Sequence, residues 1–497
     1  MRRPSRAALA AIVLLAVEGA LAAEARPADP EGAARQYRVA RRLVAEGSPD
    51  ASGALAKVYE LDPTGPLADD ALVEQALLLG IAAWPGELGR VAAAEAERAG
   101  GLLGRASDSL PNGDRASEAR VLRALLRLEP LPGRDPARAR LEFLAVGSGA
   151  SDERWRTAAR FGVAWIDERS GERERARSTY QRLAIDHPAT AAGSRARARL
   201  AMLLLRDGNA GRAAALLEEV AESGADAGRE TAALRDLAVR TVLRGAKAGG
   251  RWAGGTVVTS SSGLRGIAAA ARLREGGLLL ADRRDDAILE VAADGTPGTR
   301  WTLAGVQALT EDSMGRRFAA AGERLYRLLP SGPVPVAQLG DFESPSAIAA
   351  DGWGRLFVLD RKGEKIGVLE PGAPSPATLL GSAGKVRLAG LAWDGERLVG
   401  LDAKSKWLVE VLPDGNLRPA AAIPCEKPEA IAADPAGGIA VLDRKTDEVV
   451  LLGPDGGVRE RLPIRGSGLE RADMIALGAD GSLDVLAEGS GTTVRFP

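Results

Sequence analysis

Ala347-Ile348-Ala349-Ala350-Asp351, leading to Leu356-Phe357-Val358-Leu359-Asp360, is a pair of short apolar runs that each stop at an aspartate. The pattern returns as Gly390-Leu391-Ala392-Trp393-Asp394 with Leu398-Val399-Gly400-Leu401-Asp402, and again as Ala430-Ile431-Ala432-Ala433-Asp434 with Ile439-Ala440-Val441-Leu442-Asp443. The second aspartates of successive copies are 42 and 41 residues apart. Runs this short, separated by Gly, Asp and Pro, read as strands. Working outward, Leu279-Leu280-Ala281-Asp282 lies 78 residues before Asp360, which leaves room for one divergent copy at Arg317-Phe318-Ala319-Ala320-Ala321-Gly322. A last copy is Leu483-Asp484-Val485-Leu486-Ala487. Six units of about 40 residues, each long enough for four short antiparallel strands, predict a six-bladed β-propeller over residues 256–497.

These units resemble the NHL family of six-bladed propellers, whose blades begin Pro-x-x-Ile-Ala-x-Asp, turn at a Gly, continue through a Val-x-Asp strand and end an apolar third strand at Pro-Asp-Gly or similar. The resemblance covers about 230 residues. It implies an architecture and leaves the activity open. The final unit has three strand signals before Pro497, and Thr256-Val257-Val258-Thr259-Ser260 precedes the first complete unit. The early segment is therefore expected to form the outer strand of the last blade, closing the ring and removing an exposed edge.

Composition changes at Gly249-Gly250-Arg251-Trp252-Ala253-Gly254-Gly255, so residues 247–255 read as a Gly-rich linker. Before it, residues 24–246 are rich in Ala, Leu, Arg and Glu, with apolar residues at helical spacing and breaks every 12–18 residues. One unit runs from Arg160-Phe161-Gly162-Val163-Ala164-Trp165 through Gly171, Ala176 and Tyr180 to Pro188, and the next from Leu200-Ala201-Met202-Leu203-Leu204-Leu205 through Gly208, Ala213 and Leu217. In both, Gly precedes Ala by five residues and Ala precedes the larger apolar residue by four, with an offset of 37. These spacings resemble tetratricopeptide repeats, in which a small Ala lets the second helix pack closely on the first and a large residue fills the same face. The resemblance implies an α-helical solenoid whose concave face takes a peptide or helix, as in exported bacterial envelope proteins.

Arg2, Arg3 and Arg6 precede the apolar run Ala7–Val17, and Ala20-Leu21-Ala22-Ala23 follows it. Residues 1–23 thus read as a Sec-type signal peptide, and the destination as periplasmic or secreted. The run falls short of the about 20 apolar residues that span a bilayer. No cysteine stands at the cleavage site to carry a lipid, so no membrane span or anchor is expected after cleavage.

The 497 residues carry 66 Lys+Arg against 67 Asp+Glu, a balance that argues against nucleic acid as a partner. There is one Cys, Cys425, and one His, His187. A disulfide needs a pair, structural zinc needs four Cys/His ligands, and a catalytic triad needs a placed histidine. His187, in Ile185-Asp186-His187-Pro188, reads as a turn residue. Cys425, beside Pro424, reads as a small buried or loop residue with nothing near it to lower its pKa. For the propeller this leaves an all-oxygen, calcium-like site as the metal centre that composition permits, and no spacing marks one. No cofactor is expected.

Asp282, Asp360, Asp402 and Asp443 stand at strand ends before tight turns, where an Asp side chain accepts hydrogen bonds from the turn's N–H groups. Basic residues follow them: Arg283-Arg284, Arg361-Lys362, Arg444-Lys445, and Lys404 with Lys406 in the fourth unit. In a propeller these turns share one face with the blade-to-blade connections, so the side chains would form a broken cationic ring suited to an anionic ligand or an acidic partner. The competing reading is of solvated turns neutralised by Asp285, Asp286, Glu364, Asp447 and Glu448. Two interaction-type modules sent out of the cytoplasm suggest a non-enzymatic scaffold or adaptor of the cell envelope, its helical groove and propeller face each binding a protein or peptide partner. The alternative is a calcium-dependent propeller hydrolase or lyase with a recruiting helical domain.

Overall fold

Asp29, Asp135, Asp152 and Thr190 each stop a helix at its start by accepting a backbone N–H, from Gly32 at 2.8 Å, Arg138 at 2.9 Å, Arg154 at 2.8 Å and Gly193 at 3.0 Å. The computed structural model describes residues 28–496 apart from 82–83, 85–91, 130, 132, 225–227, 229–230, 247–255, 259–263, 265, 313–314, 343, 381–385, 466–468, 470 and 488–491. The expected signal peptide and the expected linker at 247–255 lie outside the described residues. Eleven α-helices are described: α1 (Pro30–Ala45), α2 (Ala51–Leu61), α3 (Ala68–Leu77), α4 (Ala93–Gly104), α5 (Ala116–Leu126), α6 (Pro136–Gly149), α7 (Glu153–Arg169), α8 (Arg173–Asp186), α9 (Ala191–Arg206), α10 (Ala210–Glu222) and α11 (Thr231–Ala246). None is long and apolar enough to cross a membrane.

In α7–α10 the quoted spacing becomes packing. Gly171 and Gly208, at φ +84° and +76°, take the left-handed conformation that turns one helix into the next. Ala176, Tyr180, Ala213 and Leu217 are all fully buried on the second helix of each pair. Tyr180 lies 5.5 Å from Phe161 of α7, ring centre to ring centre.

The strands form six four-stranded antiparallel sheets, the blades of a six-bladed propeller. Blade 1 is β2–β5 (Ile267 to Thr302), blade 2 β6–β9 (Val306 to Gln338), blade 3 β10–β13 (Ala347 to Leu380), blade 4 β14–β17 (Leu388 to Ala422) and blade 5 β18–β21 (Pro428 to Pro463). Blade 6 joins β22–β24 (Met474 to Phe496) to β1 (Thr256–Val257). The first strands, β2, β6, β10, β14, β18 and β22, touch in a ring and line the axis. Apolar residues between blades make the core, as where Leu279, Ile288 and Trp301 of blade 1 meet Leu309 and Ala319 of blade 2.

β1 pairs with β24 through Thr256↔Arg495 and Val257↔Val494, and the Val258 N–H donates to Thr493 O at 2.9 Å. Deleting residues 255–261 strips these bonds and bares the β24 edge. At roughly 1 kcal/mol per hydrogen bond, the deletion is expected to destabilise the propeller by about 2 kcal/mol. A deletion protein with an unchanged thermal midpoint would contradict this closure.

By compactness the chain divides into two units. One holds the described residues up to Ile81 with Ala94–Arg123, that is α1–α4 and most of α5. The other takes in Ala82–Ala93 and Ala124–Pro497, and holds α6–α11 together with the propeller. In each blade the turns joining strands one to two and three to four lie at one end, and the turn joining two to three lies at the opposite end. Helices α7–α11, with Arg134 ahead of α6, meet the first of these ends.

Candidate functional site

The end away from the helices carries the turns that follow Asp282, Asp360, Asp402 and Asp443. Asp282 accepts from the Arg284 N–H at 2.8 Å, Asp360 from Glu364 and Lys365 at 2.6 and 2.7 Å, and Asp402 from Lys404 and Ser405, both at 3.1 Å. Burial pushes the Asp443 carboxyl up, but N–H groups of Glu426, Lys427, Lys445 and Thr446 outweigh it and hold the carboxyl below its usual range. Asp286, Lys406 and Asp447 close three of these turns with φ of +46°, +61° and +51°, the place that Gly363 fills in blade 3.

Arg283, Arg284, Arg361, Lys362, Lys404, Lys406 and Lys445 are exposed, and Arg444 is partly buried. Arg444 pairs with Glu429 and Lys445 with Glu426. Four of the acidic residues expected to neutralise this face are held by other arginines: Asp285 by Arg300 at 3.4 Å, Glu364 by Arg387 at 3.1 Å, Asp447 by Arg465 at 3.0 Å, and Glu448 by Arg461. Among the described residues, Arg284, Arg361, Lys362, Lys404 and Lys406 have no carboxylate within ion-pair distance. The ring is broken at blade 2, where a two-residue turn, Gly322-Glu323, leaves no room for the aspartate or the basic pair.

The other end is built on a second series of aspartates. Asp351 accepts from the N–H groups of Trp353 and Arg355, both at 2.9 Å, Asp394 from Glu396 and Arg397 at 2.9 and 2.7 Å, and Asp434 from Ala436 and Gly438 at 2.7 and 3.0 Å. The helices engage these turns. Trp165 of α7 meets Trp353 edge-on at 5.3 Å, and Arg134 lies 5.2 Å over the Trp353 ring. Arg206, at the end of α9, reaches Glu396 at 2.8 Å and donates to the carbonyls of Asp394 and Pro435 at 2.5 and 2.9 Å. Arg173 of α8 pairs with the same Glu396, and Arg240 of α11 lies 3.6 Å from Asp480. Ala436 packs into the core formed by α9, α10 and α11.

Charged groups collect where the channel meets the helices. Arg169, the last residue of α7, lies 4.8 Å over the Trp165 ring. Burial first, and the Arg199 charge second, push its guanidinium down to about 10. Arg274 is lowered too, chiefly by burial and also by Arg169 and Arg199, while Glu311 opposes the shift. Glu311, on β6, accepts the Arg274 backbone N–H at 2.6 Å, yet burial lifts its carboxyl to about 7. Glu129, after α5, is also lifted to about 7 by burial, with Asp312 adding to the shift and Arg316 opposing it. Two carboxyls poised near neutrality can each give or take a proton.

Elsewhere, Ile185, Leu200, Leu204 and Leu216, with Arg197 and Arg212, line a groove of about 450 Å³ on α8–α10. His187 sits in the turn after α8 with its Nδ1 2.7 Å from Glu153 Oε1. Cys425 is buried, and burial followed by the Asp443 charge pushes its thiol up to about 12, where it stays protonated and unreactive. Among the described residues, three carboxylates converge only at Asp69, Asp70 and Asp114 in the first helical unit. Asp69 there accepts the Arg115 N–H at 2.9 Å, and the Arg115 side chain lies 3.5 Å from Asp70. Among the described residues of the propeller, no three carboxylates converge.

The sequence singled out the exposed turns and missed Arg169, Arg206, Glu129 and Glu311, because a buried arginine in a helix reads like any exposed one. The signal available was Trp353, a large aromatic in a turn where a solvated loop would carry a polar residue.

No known family profile and no curated protein matches the chain. Solved structures resemble about half of it. A virginiamycin B lyase from Staphylococcus aureus is 16% identical over 48% of this chain and 83% of its own, with a TM-score of 0.38. A gluconolactonase from Xanthomonas campestris is 17% identical over 50% and 91%, with a TM-score of 0.40. A calcium-binding regucalcin from Agrobacterium tumefaciens is 16% identical over 50% and 94%, with a TM-score of 0.39. At these values the likeness speaks for the fold alone. The expectation that the chain is not an enzyme is not upheld: chains named a lyase and a gluconolactonase are among the structures with this fold, and the fold leaves the activity open. In physical terms, the shortage of histidine removes imidazole ligands and triads but leaves carboxyl chemistry untouched.

Proposed function

We propose that the chain is an exported binding protein of the bacterial cell envelope, with NHL-like blades and tetratricopeptide-like helices. The propeller takes an anionic ligand through its uncovered end, and the helical segment holds a protein or peptide partner. The observation that carries this reading is the division of the two ends. Helices α7–α11 pack against the turns of blades 3 to 6 at one end, and the basic turns lie at the other, with several of their acidic neighbours held elsewhere. A cationic rim of this kind raises the local concentration of an anion and speeds its capture. Titration calorimetry with citrate at low ionic strength is the test. The double substitution Lys404→Glu/Lys406→Glu is expected to weaken citrate binding at least fivefold and flatten its salt dependence. Unchanged affinity would overturn the reading.

A second reading, a hydrolase or lyase, is favoured by the two carboxyls lifted to about 7, Glu311 and Glu129. It draws on proton transfer by these groups and on no metal centre. Melting curves with chelator and with Ca²⁺ test the calcium-dependent form, which requires a large shift between the two.

A further inference from the structure

We propose that the helix-covered end of the propeller channel is a binding site for a small oxyanion, with Arg169 as its principal cation and Arg199 and Arg274 beside it. The inference rests on the anionic-ligand reading above and names the place where that ligand is held.

Arg169 is a cation without an ion-pair partner among the described residues. Among the described residues it makes no hydrogen bond and no ion pair, and its Nε is buried without a partner. The two carboxylates nearest it are committed elsewhere. Glu168 has one oxygen bound by Arg199 and the other shared between Arg199, at 3.1 Å, and the Tyr180 hydroxyl, at 2.9 Å. Asp351 receives the Arg355 Nε at 2.6 Å as well as two turn N–H groups. A desolvated charge left without a partner is unfavourable by several kcal/mol. Like-charged Arg199 and Arg274 add to the imbalance.

The position is built. The guanidinium lies over Trp165, and Trp165 is braced by Trp353. Gly352 makes room, since a Cβ there would run into the Arg169 guanidinium. A planar fork held in this way presents parallel N–H groups to two oxygens of a phosphate or carboxylate. Glu311, when protonated, adds a donor at the same end.

The basic turns stand at the opposite end of the propeller, where they raise the local concentration of an anion.

The test uses the full chain, with inorganic phosphate and acetate as probes, by calorimetry and thermal shift at pH 7 in chloride buffer. Saturable binding of at least one anion is expected, and the tighter of the two identifies the class. Arg169→Met is expected to bind at least tenfold more weakly while its ligand-free melting temperature stays equal or rises, because an unpaired cation has been removed. Arg169→Lys should recover part of the affinity. Failure of both anions to bind, or equal binding by Arg169→Met, overturns the site. If Lys404→Glu/Lys406→Glu weakens binding and Arg169→Met does not, the rim reading stands and the channel-end site falls. The reverse result keeps the site and removes the rim.

Discussion

Arg206→Ala is expected to release helices α6–α11 from the propeller. The Arg206 side chain is only 7% exposed and holds Glu396, the Asp394 carbonyl and the Pro435 carbonyl together, so one residue of α9 ties down two neighbouring blades. Its removal leaves two carbonyls without their donor and Glu396 with Arg173 alone. Breaking a buried pair from one side typically destabilises by about 3–5 kcal/mol. Against a usual total of roughly 5–15 kcal/mol, that is enough to uncouple the two parts. Calorimetry should show the single transition of residues 124–497 splitting in two, with trypsin cutting between α11 and β1 much sooner. One transition at an unchanged midpoint would show that the aromatic contacts of Trp165 and Trp353 suffice alone.

The second large effect is on pH dependence. Glu129 and Glu311 have folded-state values of about 7, against an ordinary value of 4.5. Because the folded value is raised, the folded chain binds these protons more tightly than the unfolded chain. The contribution is fully present below about 4.5, is lost as pH rises towards 7, and is absent above that. At 1.36 kcal/mol per pKa unit, each group accounts for roughly 3 kcal/mol across that window. Glu129→Gln and Glu311→Gln, each uncharged at every pH, should melt well above the parent at pH 8 and close to it at pH 4.5. A parent and variants with parallel melting curves from pH 4.5 to pH 8 would show that neither carboxyl is desolvated.

The propeller could be read from the chain because its information is repeated. Asp360, Asp402 and Asp443 recur at nearly constant spacing, and each copy checks the others. Blade 2 was the faintest copy for a physical reason: its second strand turns back through Gly322-Glu323 instead of a longer aspartate turn. The strand that completes blade 6 could be anticipated from its strand count. The charged cluster at the channel end had no such support. Arg169, Arg206, Glu129 and Glu311 acquire their meaning from what buries them, and their partners lie far away in sequence, as with Arg206 and Glu396, 190 positions apart. Composition shows a change near residue 250 but not that the helices before it settle on the blades after it.

The pairing of β1 with β24 also sets an order of events. Val257 waits for Val494, and every intervening residue must be made before the two meet. Until then the growing domain is an open arc of sheets with a free edge at each end, and such edges template pairing between chains. Contacts of this range close slowly. Strand β24 is therefore the one that ends the period of risk, and a chaperone that shields these edges would be most needed until Thr492–Phe496 has paired.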